Sequence, residues 1–247
     1  MFVGLMSGTS IDGIDAALVS FADGPLKLLA THSLAYPQGL KQRLRDLAVA
    51  TNDSVHETAL ADREVGQCFA QAALELLQQA GVTQEQVSAI GSHGQTIRHH
   101  PASRPLERYT TQIGDPATIA ELTSSCVVAD FRRQDLVAGG QGAPLTPAFH
   151  AYQFASEGLR AVVNIGGIAN ATLLRGAEVV AGFDCGPGNT LLDNWTRLHL
   201  DAEFDVNGAW SAEHPIDEPL LTTLLADPYF SRTDPRSTGP ELFNLDW

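Results

Sequence analysis

Residues 4–15 read Gly-Leu-Met-Ser-Gly-Thr-Ser-Ile-Asp-Gly-Ile-Asp, the most informative stretch of the chain. Apolar residues lie on both sides of it, so the pattern predicts two strands joined by a turn with a polar tip. Gly8 and Gly13 allow close approach of the backbone and a positive φ. Backbone N–H groups and hydroxyls at the tip can then surround an anion.

Two aspartates restrict the kind of anion that the tip can hold. Asp12 and Asp15 would repel a bare phosphate, but they suit a phosphate that arrives with a divalent cation, held directly or through water. The alternative is a solvated hairpin tip. The spacing is not that of the common phosphate loops, because the stretch contains neither G-x-x-x-x-G-K-[ST] nor a G-x-G-x-x-G between strand and helix.

Composition excludes several classes of protein. The chain has 247 residues with 29 acidic and 15 basic side chains, a formal net charge of −14, which disfavours nucleic acid as a partner. No apolar stretch is long enough to predict a membrane span. Three widely spaced cysteines predict buried free thiols rather than disulfides or a zinc site, and we expect a cytoplasmic protein. The oligomeric state stays open, with a homodimer among the alternatives.

Hydrophobic periodicity predicts alternating strands and helices. A helix should begin at Ser54, which is spaced from Glu57 as in a capping box, and end at Gly81. A loop is expected over 132–147, and His99 and His100 are expected at the surface. Further strands and helices are predicted over 2–6, 14–21, 26–34, 87–90, 116–124, 126–129, 159–165, 169–174, 178–183, 190–200 and 218–226.

The opening stretch resembles the first motif of the anhydro-N-acetylmuramic acid kinases, a family of the actin-like ATPase and hexokinase superfamily. Six further motifs follow in the family's order, and the resemblance covers residues 2 to about 245. These motifs are Gly91-Ser92-His93-Gly94-Gln95-Thr96, Gln112-Ile113-Gly114-Asp115-Pro116, Val128-Ala129-Asp130-Phe131-Arg132, residues 139–145, Asn164-Ile165-Gly166-Gly167 and residues 182–189.

The resemblance implies an α/β fold of two ribonuclease-H-like domains around a nucleotide cleft, the second of them incomplete. We place the domains at 1–127 and 128–247. A strand, a turn and a second strand occur near 2–21 and again near 160–174, which fits duplicated domains. Members of the family are longer, so the sequence resembles the N-terminal two thirds of such a kinase.

The resemblance also implies a reaction. An ATP-dependent kinase would open 1,6-anhydro-N-acetylmuramic acid by hydrolysis and phosphorylate O6, giving N-acetylmuramic acid 6-phosphate during peptidoglycan recycling. Asp184 matches the catalytic aspartate, which would deprotonate the attacking water. A carboxylate at a strand end, before a turn into a helix, also lies where α/β proteins collect ligands. The alternative role for Asp184 is a helix cap.

The other expected site residues divide into a sugar group and a nucleotide group. Arg132 matches a substrate-contacting position, and a guanidinium suits the lactyl carboxylate or a transferring phosphate. The alternative for Arg132 is a surface ion pair with Asp130 or Asp135. Sugar contacts are also expected from His93, Gln141 and Asn189, although His93 could instead be a buried hydrogen-bonding residue. ATP with Mg²⁺ is expected on Gly8, Thr9, Ser10, Ile11, Asp12, Gly13, Ile14, Asp15, Gly166 and Gly167.

Two other functions compete with the kinase. The first is a glycosidase-like hydrolase that pairs Asp184 with Asp193 and uses no nucleotide. The second is a truncated, non-catalytic remnant that binds nucleotide or sugar. One departure from the family pattern is Pro240, which stands where the pattern S-T-G-R-x-L-F-N has arginine.

Overall fold

The computed structural model describes residues 1–22, 24–49, 54–100, 104–233, 236–239 and 242–247. Pro240 lies outside this set. The chain forms two compact units, Met1–Gly142 and Ala143–Trp247. The predicted boundary near residue 128 falls inside the first unit, and the division into actin-like domains at 1–127 and 128–247 stays a prediction.

The first unit is a mixed sheet with helices. Its strand order is β3-β2-β1-β4-β5, with β6 also paired to β4. The β1–β2, β2–β3 and β4–β5 pairs are antiparallel, whereas β4 runs parallel to β1 and to β6. The elements are β1 Phe2–Ser7, β2 Gly13–Ser20, β3 Lys27–Ala35, α1 Gln38–Ala48, α2 Val55–Ala80, β4 Ala89–His100, β5 Tyr109–Ile113, α3 Pro116–Thr123, β6 Val127–Val128 and α4 Phe131–Val137, with 3₁₀ turns at Gln84–Gln86 and Pro105–Glu107.

Helix α2 packs its apolar stripe on this sheet, as the periodicity predicts. Ser54 caps the helix by accepting a hydrogen bond from the N–H of Glu57 (3.2 Å), and Gly81 ends it in the left-handed conformation. Strand β1 buries alternate residues toward the core, which is the pattern of a sheet with one covered face. The buried stripe of α2 contains Val65, Phe69, Ala72, Ala73, Leu76 and Leu77.

The second unit is built on a three-stranded antiparallel sheet in the order β7-β8-β9. Its strands follow one another as β1, β2 and β3 do in the first unit, so the predicted repetition of hairpins is present. Both units combine a sheet with helices, which confirms the α/β class. The elements are α5 Pro147–Phe154, β7 Ser156–Ile165, β8 Ile168–Gly176, β9 Glu178–Pro187, α6 Asn189–Leu200 and α7 Glu218–Leu225, with 3₁₀ turns at Val206–Gly208, Ser211–Glu213 and Pro228–Ser231.

Four local predictions are wrong. The expected loop over 132–147 contains most of α4, because the residues before Gly139 include no helix breaker. Strand β4 does not end before the Gly91–Thr96 motif but runs through it, since hydrogen bonds to β5 continue as far as His100. His99 on that strand is consequently half-buried, and of the three free cysteines Cys126 is exposed. Among the described residues, no helix combines the length and hydropathy needed to cross a bilayer.

Candidate active-site residues in the two units

The tip of the first hairpin is a tight turn between β1 and β2. The N–H of Ile11 donates to the carbonyl oxygen of Gly8 at 3.2 Å. The positive φ expected at Gly8 or Gly13 occurs instead at Ile11, with φ of 55°, and the Ile11 side chain is 3% exposed. A β-branched residue in this region is unusual and strained. A glycine is needed at position 13 for lack of space rather than for a positive φ, because a Cβ there would lie 2.9 Å from the carbonyl oxygen of Leu34.

The polar groups expected to bind phosphate lie together at this tip. Thr9, Ser10 and Asp12 are exposed. Within the described parts of the chain, the backbone N–H groups of Thr9 and Ser10 have no hydrogen-bond acceptor. Asp15 is also exposed, and its carboxylate accepts a hydrogen bond from Ser33 Oγ at 2.7 Å. The tip therefore offers two backbone donors and, close to them, two exposed aspartates.

Two of the predicted nucleotide-binding residues contribute no side chain to the surface of the tip. Ile14 is 0% exposed and belongs to the core, as does Ile11. Only their backbone atoms could contact a ligand. The described residues contain no group of three or more His, Cys, Asp or Glu side chains that could hold a metal ion.

His93 and Arg132 contact each other in the first unit. Arg132 Nε donates to His93 Nε2 at 3.0 Å, so the ring proton lies on Nδ1, which donates to the carbonyl oxygen of Gly94 at 3.0 Å. Burial, and then the positive charge of Arg132, lowers the pKa of His93 and keeps the ring neutral. Because both ring nitrogens are used, His93 fits the alternative of a hydrogen-bonding residue that orients Arg132.

Arg133, the neighbour of Arg132, forms a surface ion pair with Asp130. Arg133 lies 3.3 Å from the Asp130 carboxylate, and both side chains are well exposed. Screening by water makes such a pair a minor contribution to stability. Arg132 is thus distinguished from Arg133 by its contact with His93.

The glycine-rich loop at 139–142 is held in place by two charged side chains. Asp135 accepts a hydrogen bond from the N–H of Gly142 at 2.7 Å. Arg108 donates to the carbonyl oxygens of Gly139 and Gly140 at 2.9 and 3.0 Å. Gln141 lies half-buried in this loop. The loop is therefore a fixed segment rather than a plain connector.

His99 lies next to the same loop. Its Nδ1 is 3.2 Å from Thr110 Oγ1, and a Cβ on Gly142 would lie 3.4 Å from its ring. Burial, together with Arg132 and His100, lowers the pKa of His99 to about 4. The ring is accordingly neutral at neutral pH.

Asp184 is a buried carboxylate in the second unit. The expected position at a strand end is wrong, because β9 continues past Asp184 to Pro187. Asp184 lies within the strand, opposite Asn170 of β8, and is 8% exposed. Its Oδ2 accepts hydrogen bonds from Ser237 Oγ (3.1 Å) and from the N–H of Thr238 (2.9 Å). Helix α6, the described helix that follows Asp184, has Gly188 at its N-cap and no side-chain cap hydrogen bond, so the alternative role of capping this helix does not fit.

The backbone of Asp184 is fixed by the same part of the chain. Its N–H donates to the carbonyl oxygen of Arg236 at 2.9 Å, and its carbonyl oxygen accepts from Tyr229 OH at 2.8 Å. The Arg236 guanidinium lies 5.2 Å from the centre of the Phe183 ring. These partners follow Asp184 by some fifty residues and lie outside any regular strand, so periodicity gives no signal for them.

The Gly166–Gly167 turn contacts the start of α6. The carbonyl oxygen of Gly166 accepts from the N–H of Asn189 at 2.8 Å, and that of Gly167 accepts from Gly188 (2.9 Å) and Thr190 (3.1 Å). These bonds occupy the first donors of α6. The Asn189 side chain is exposed. The turn and Asn189 are thus brought together, while their roles in binding stay predictions.

Comparison with known proteins agrees with the motifs. The sequence model of the anhydro-N-acetylmuramic acid kinase family matches residues 1–247. Kinases of that name from Shewanella loihica and Shewanella sediminis are 51% and 52% identical over 249 residues, and each match covers 100% of this chain and 67% of the relative. A solved ROK hexokinase from Thermus thermophilus is 16% identical, with coverage of 94% and 71% and a TM-score of 0.36. By sequence, this chain belongs to the anhydro-N-acetylmuramic acid kinase family.

Proposed function

We propose that the chain catalyses ATP-dependent opening and phosphorylation of 1,6-anhydro-N-acetylmuramic acid, with Asp184 as the general base. The observation that carries this proposal is the buried Asp184 carboxylate, whose Oδ2 is held by Ser237 and Thr238. A base must have a fixed position relative to the proton that it takes, and a buried carboxylate that accepts two hydrogen bonds satisfies that requirement. Family membership supplies the substrate.

The reaction follows from one proton transfer at Asp184. The carboxylate takes a proton from a water molecule, whose oxygen forms a bond to the anomeric carbon of the sugar. The bond between that carbon and O6 breaks, and its electron pair stays on O6. The O6 atom then takes the γ-phosphoryl group of ATP, and ADP leaves. General-base catalysis contributes about 10²- to 10⁴-fold to such a step.

The hairpin tip is the proposed site for the phosphates of ATP. Thr9 and Ser10 present backbone N–H groups there, and such donors stabilise the charge of phosphate oxygens. Mg²⁺ prefers one or two carboxylates together with phosphate oxygens and water. The exposed Asp12 would therefore be a sufficient protein ligand for the ion. The ion would neutralise phosphate charge. Gly166 and Gly167 are proposed as the second phosphate-facing turn.

Arg132 is the proposed contact of the sugar's lactyl carboxylate. A guanidinium binds a carboxylate through paired, charge-assisted hydrogen bonds. His93 orients this guanidinium through Nε, and the fixed loop that carries Gln141 lies in the same unit. We assign Asn189 to the sugar as well. The reaction would serve cell-wall recycling in the cytoplasm.

A non-catalytic remnant that binds sugar or nucleotide is the second candidate. The observation that favours it is exposed apolar surface in the second unit, where Leu159 is 76% and Ile165 is 66% exposed. The chain spans 67% of the length of its Shewanella relatives. The third candidate, a nucleotide-independent hydrolase, is disfavoured by membership of a kinase family.

One assay separates the three candidates. The chain is incubated with the anhydro sugar and Mg²⁺, with and without ATP, and the products are identified by mass spectrometry. The proposal predicts N-acetylmuramic acid 6-phosphate only when ATP is present. Ring opening without ATP would identify a hydrolase, and saturable binding of the sugar or ATP without any product would identify a binding remnant.

A further inference from the structure

A fully buried glutamine lies beneath the tip of the first hairpin. Gln95, on β4, is 0% exposed. Its Nε2 donates to the carbonyl oxygens of Gly8 (3.0 Å) and Thr96 (3.1 Å), and its Oε1 accepts from Ser7 Oγ (2.6 Å) and Tyr36 OH (3.4 Å). An amide side chain has two donor hydrogens and two acceptor lone pairs, so Gln95 has a partner within reach for each of them. The Ser7 hydroxyl has one hydrogen, which it shares between Gln95 Oε1 and the carbonyl oxygen of Gly13, 2.6 Å from each.

The bond to Gly8 fixes the direction of the next N–H group. In a planar trans peptide the C=O of one residue and the N–H of the following residue point in opposite directions. Gln95 and the N–H of Ile11 both hold the Gly8 carbonyl oxygen. When that oxygen is held inward, the N–H of Thr9 must point away from the core.

The strained residue of the turn depends on the same oxygen. Ile11 has a φ of 55°, and a conformation of this kind persists only where the surroundings over-determine it. Its N–H is tied to Gly8 and its side chain is buried. On the other side of Gln95, Tyr36 is buried, and burial raises the pKa of its phenol well above the usual value.

We propose that Gln95 is a positioning residue for the phosphate-binding hairpin. It holds the Gly8–Thr9 peptide so that the Thr9 N–H group, which precedes that of Ser10 in the turn, faces a nucleotide polyphosphate. The inference rests on the proposed function, because it assigns the hairpin to ATP. It predicts that loss of Gln95 weakens polyphosphate binding and leaves sugar binding unchanged.

The first test is Gln95→Met, which keeps the length of the side chain and removes its hydrogen bonds. We expect amide hydrogen exchange at Ile11 to become at least about tenfold faster, while exchange in the β1–β2 ladder changes less than about twofold. Thr123→Val is the matched control, since it removes a fully buried hydroxyl that donates to Ile119. Unchanged exchange at Ile11, or equal acceleration along the whole ladder, would overturn the inference.

The second test measures dissociation constants for Mg·ATP, pyrophosphate and the anhydro sugar by calorimetry. Gln95→Met should raise the constants for ATP and pyrophosphate about tenfold, which is a loss of about 1.4 kcal/mol, with sugar binding and the Thr123→Val control unchanged. If the wild type binds ATP and Gln95→Met binds it with the same dissociation constant, the inference about Gln95 is overturned and the proposed nucleotide site is not. Absence of ATP binding in the wild type would overturn the proposed nucleotide site and the inference with it.

A milder variant covers the case in which Gln95→Met does not fold. Ser7→Ala removes the hydroxyl that lies 2.6 Å from both Gln95 Oε1 and the carbonyl oxygen of Gly13. The expected change is a two- to threefold weaker ATP affinity, in the same direction as for Gln95→Met. An ATP affinity equal to or higher than that of the wild type would count against the inference.

Discussion

Replacing Gly188 by alanine should destabilise the second unit strongly. A Cβ at this position would overlap the carbonyl oxygen of Gly166 and lie 3.3 Å from both Gly167 O and Ala169 N. The turn would have to move away from α6, which breaks the three hydrogen bonds that join them. At about 1 kcal/mol for each bond, the free energy of unfolding should fall by about 3 kcal/mol.

Gly166→Ala is the matched control in the same turn. A Cβ there would meet Asn164 Nδ2 at 3.7 Å and Ile168 O at 3.8 Å, which are ordinary contacts. Its free energy of unfolding should change by less than about 1 kcal/mol. Urea unfolding followed by tryptophan fluorescence is the assay, because all three tryptophans belong to the second unit. Equal unfolding midpoints for the two variants would show that close contact at Gly188 does not hold the turn against α6.

Two further predictions concern the first unit. Gly8→Val should weaken ATP binding and spare sugar binding in calorimetry, because a branched side chain blocks approach to phosphate; Gly4→Val, in open space on β1, should change neither. His99 has a pKa of about 4 in the folded state and about 6.5 when unfolded, so stability falls as pH drops through that window. Between pH 7 and pH 5, the free energy of unfolding from urea titrations should fall by about 2 kcal/mol more for the wild type than for His99→Gln. Equal decreases for the two proteins would contradict the low pKa of His99.

The parts of the fold that follow from sequence are those with local signals. The apolar stripe of α2 and its Ser54 cap depend on residues three and four positions apart, so periodicity finds them. Repetition of the hairpins in the two units is likewise visible as strand, turn and strand. The sequence does not predict the α4 helix, because the glycines at 139–142 dominate the composition of the segment around it.

The contacts that fix the candidate sites are not local. Gln95 meets Gly8 across 87 positions, and Ser237 meets Asp184 across 53. The spacing of these residues along the chain does not predict the two contacts, because the fold brings the partners together from distant positions. The sequence also gives no sign of the positive φ at Ile11, because glycine is the ordinary choice for that conformation and two glycines lie nearby.

The role of Asp184 as the general base is tested by an isotope measurement on the wild-type chain and Asp184→Asn. Each is incubated with the anhydro sugar, ATP and Mg²⁺ in H₂¹⁸O, and the position of ¹⁸O in the immediate product is read by mass spectrometry, with early time points limiting exchange of the label at the anomeric carbon. If Asp184 activates the water, the wild type gives a 6-phosphate with ¹⁸O at the anomeric carbon, and Asp184→Asn loses ring opening and phosphorylation together by at least about 10²-fold. A variant that turns over like the wild type, or that retains only one of the two reactions, would contradict the account.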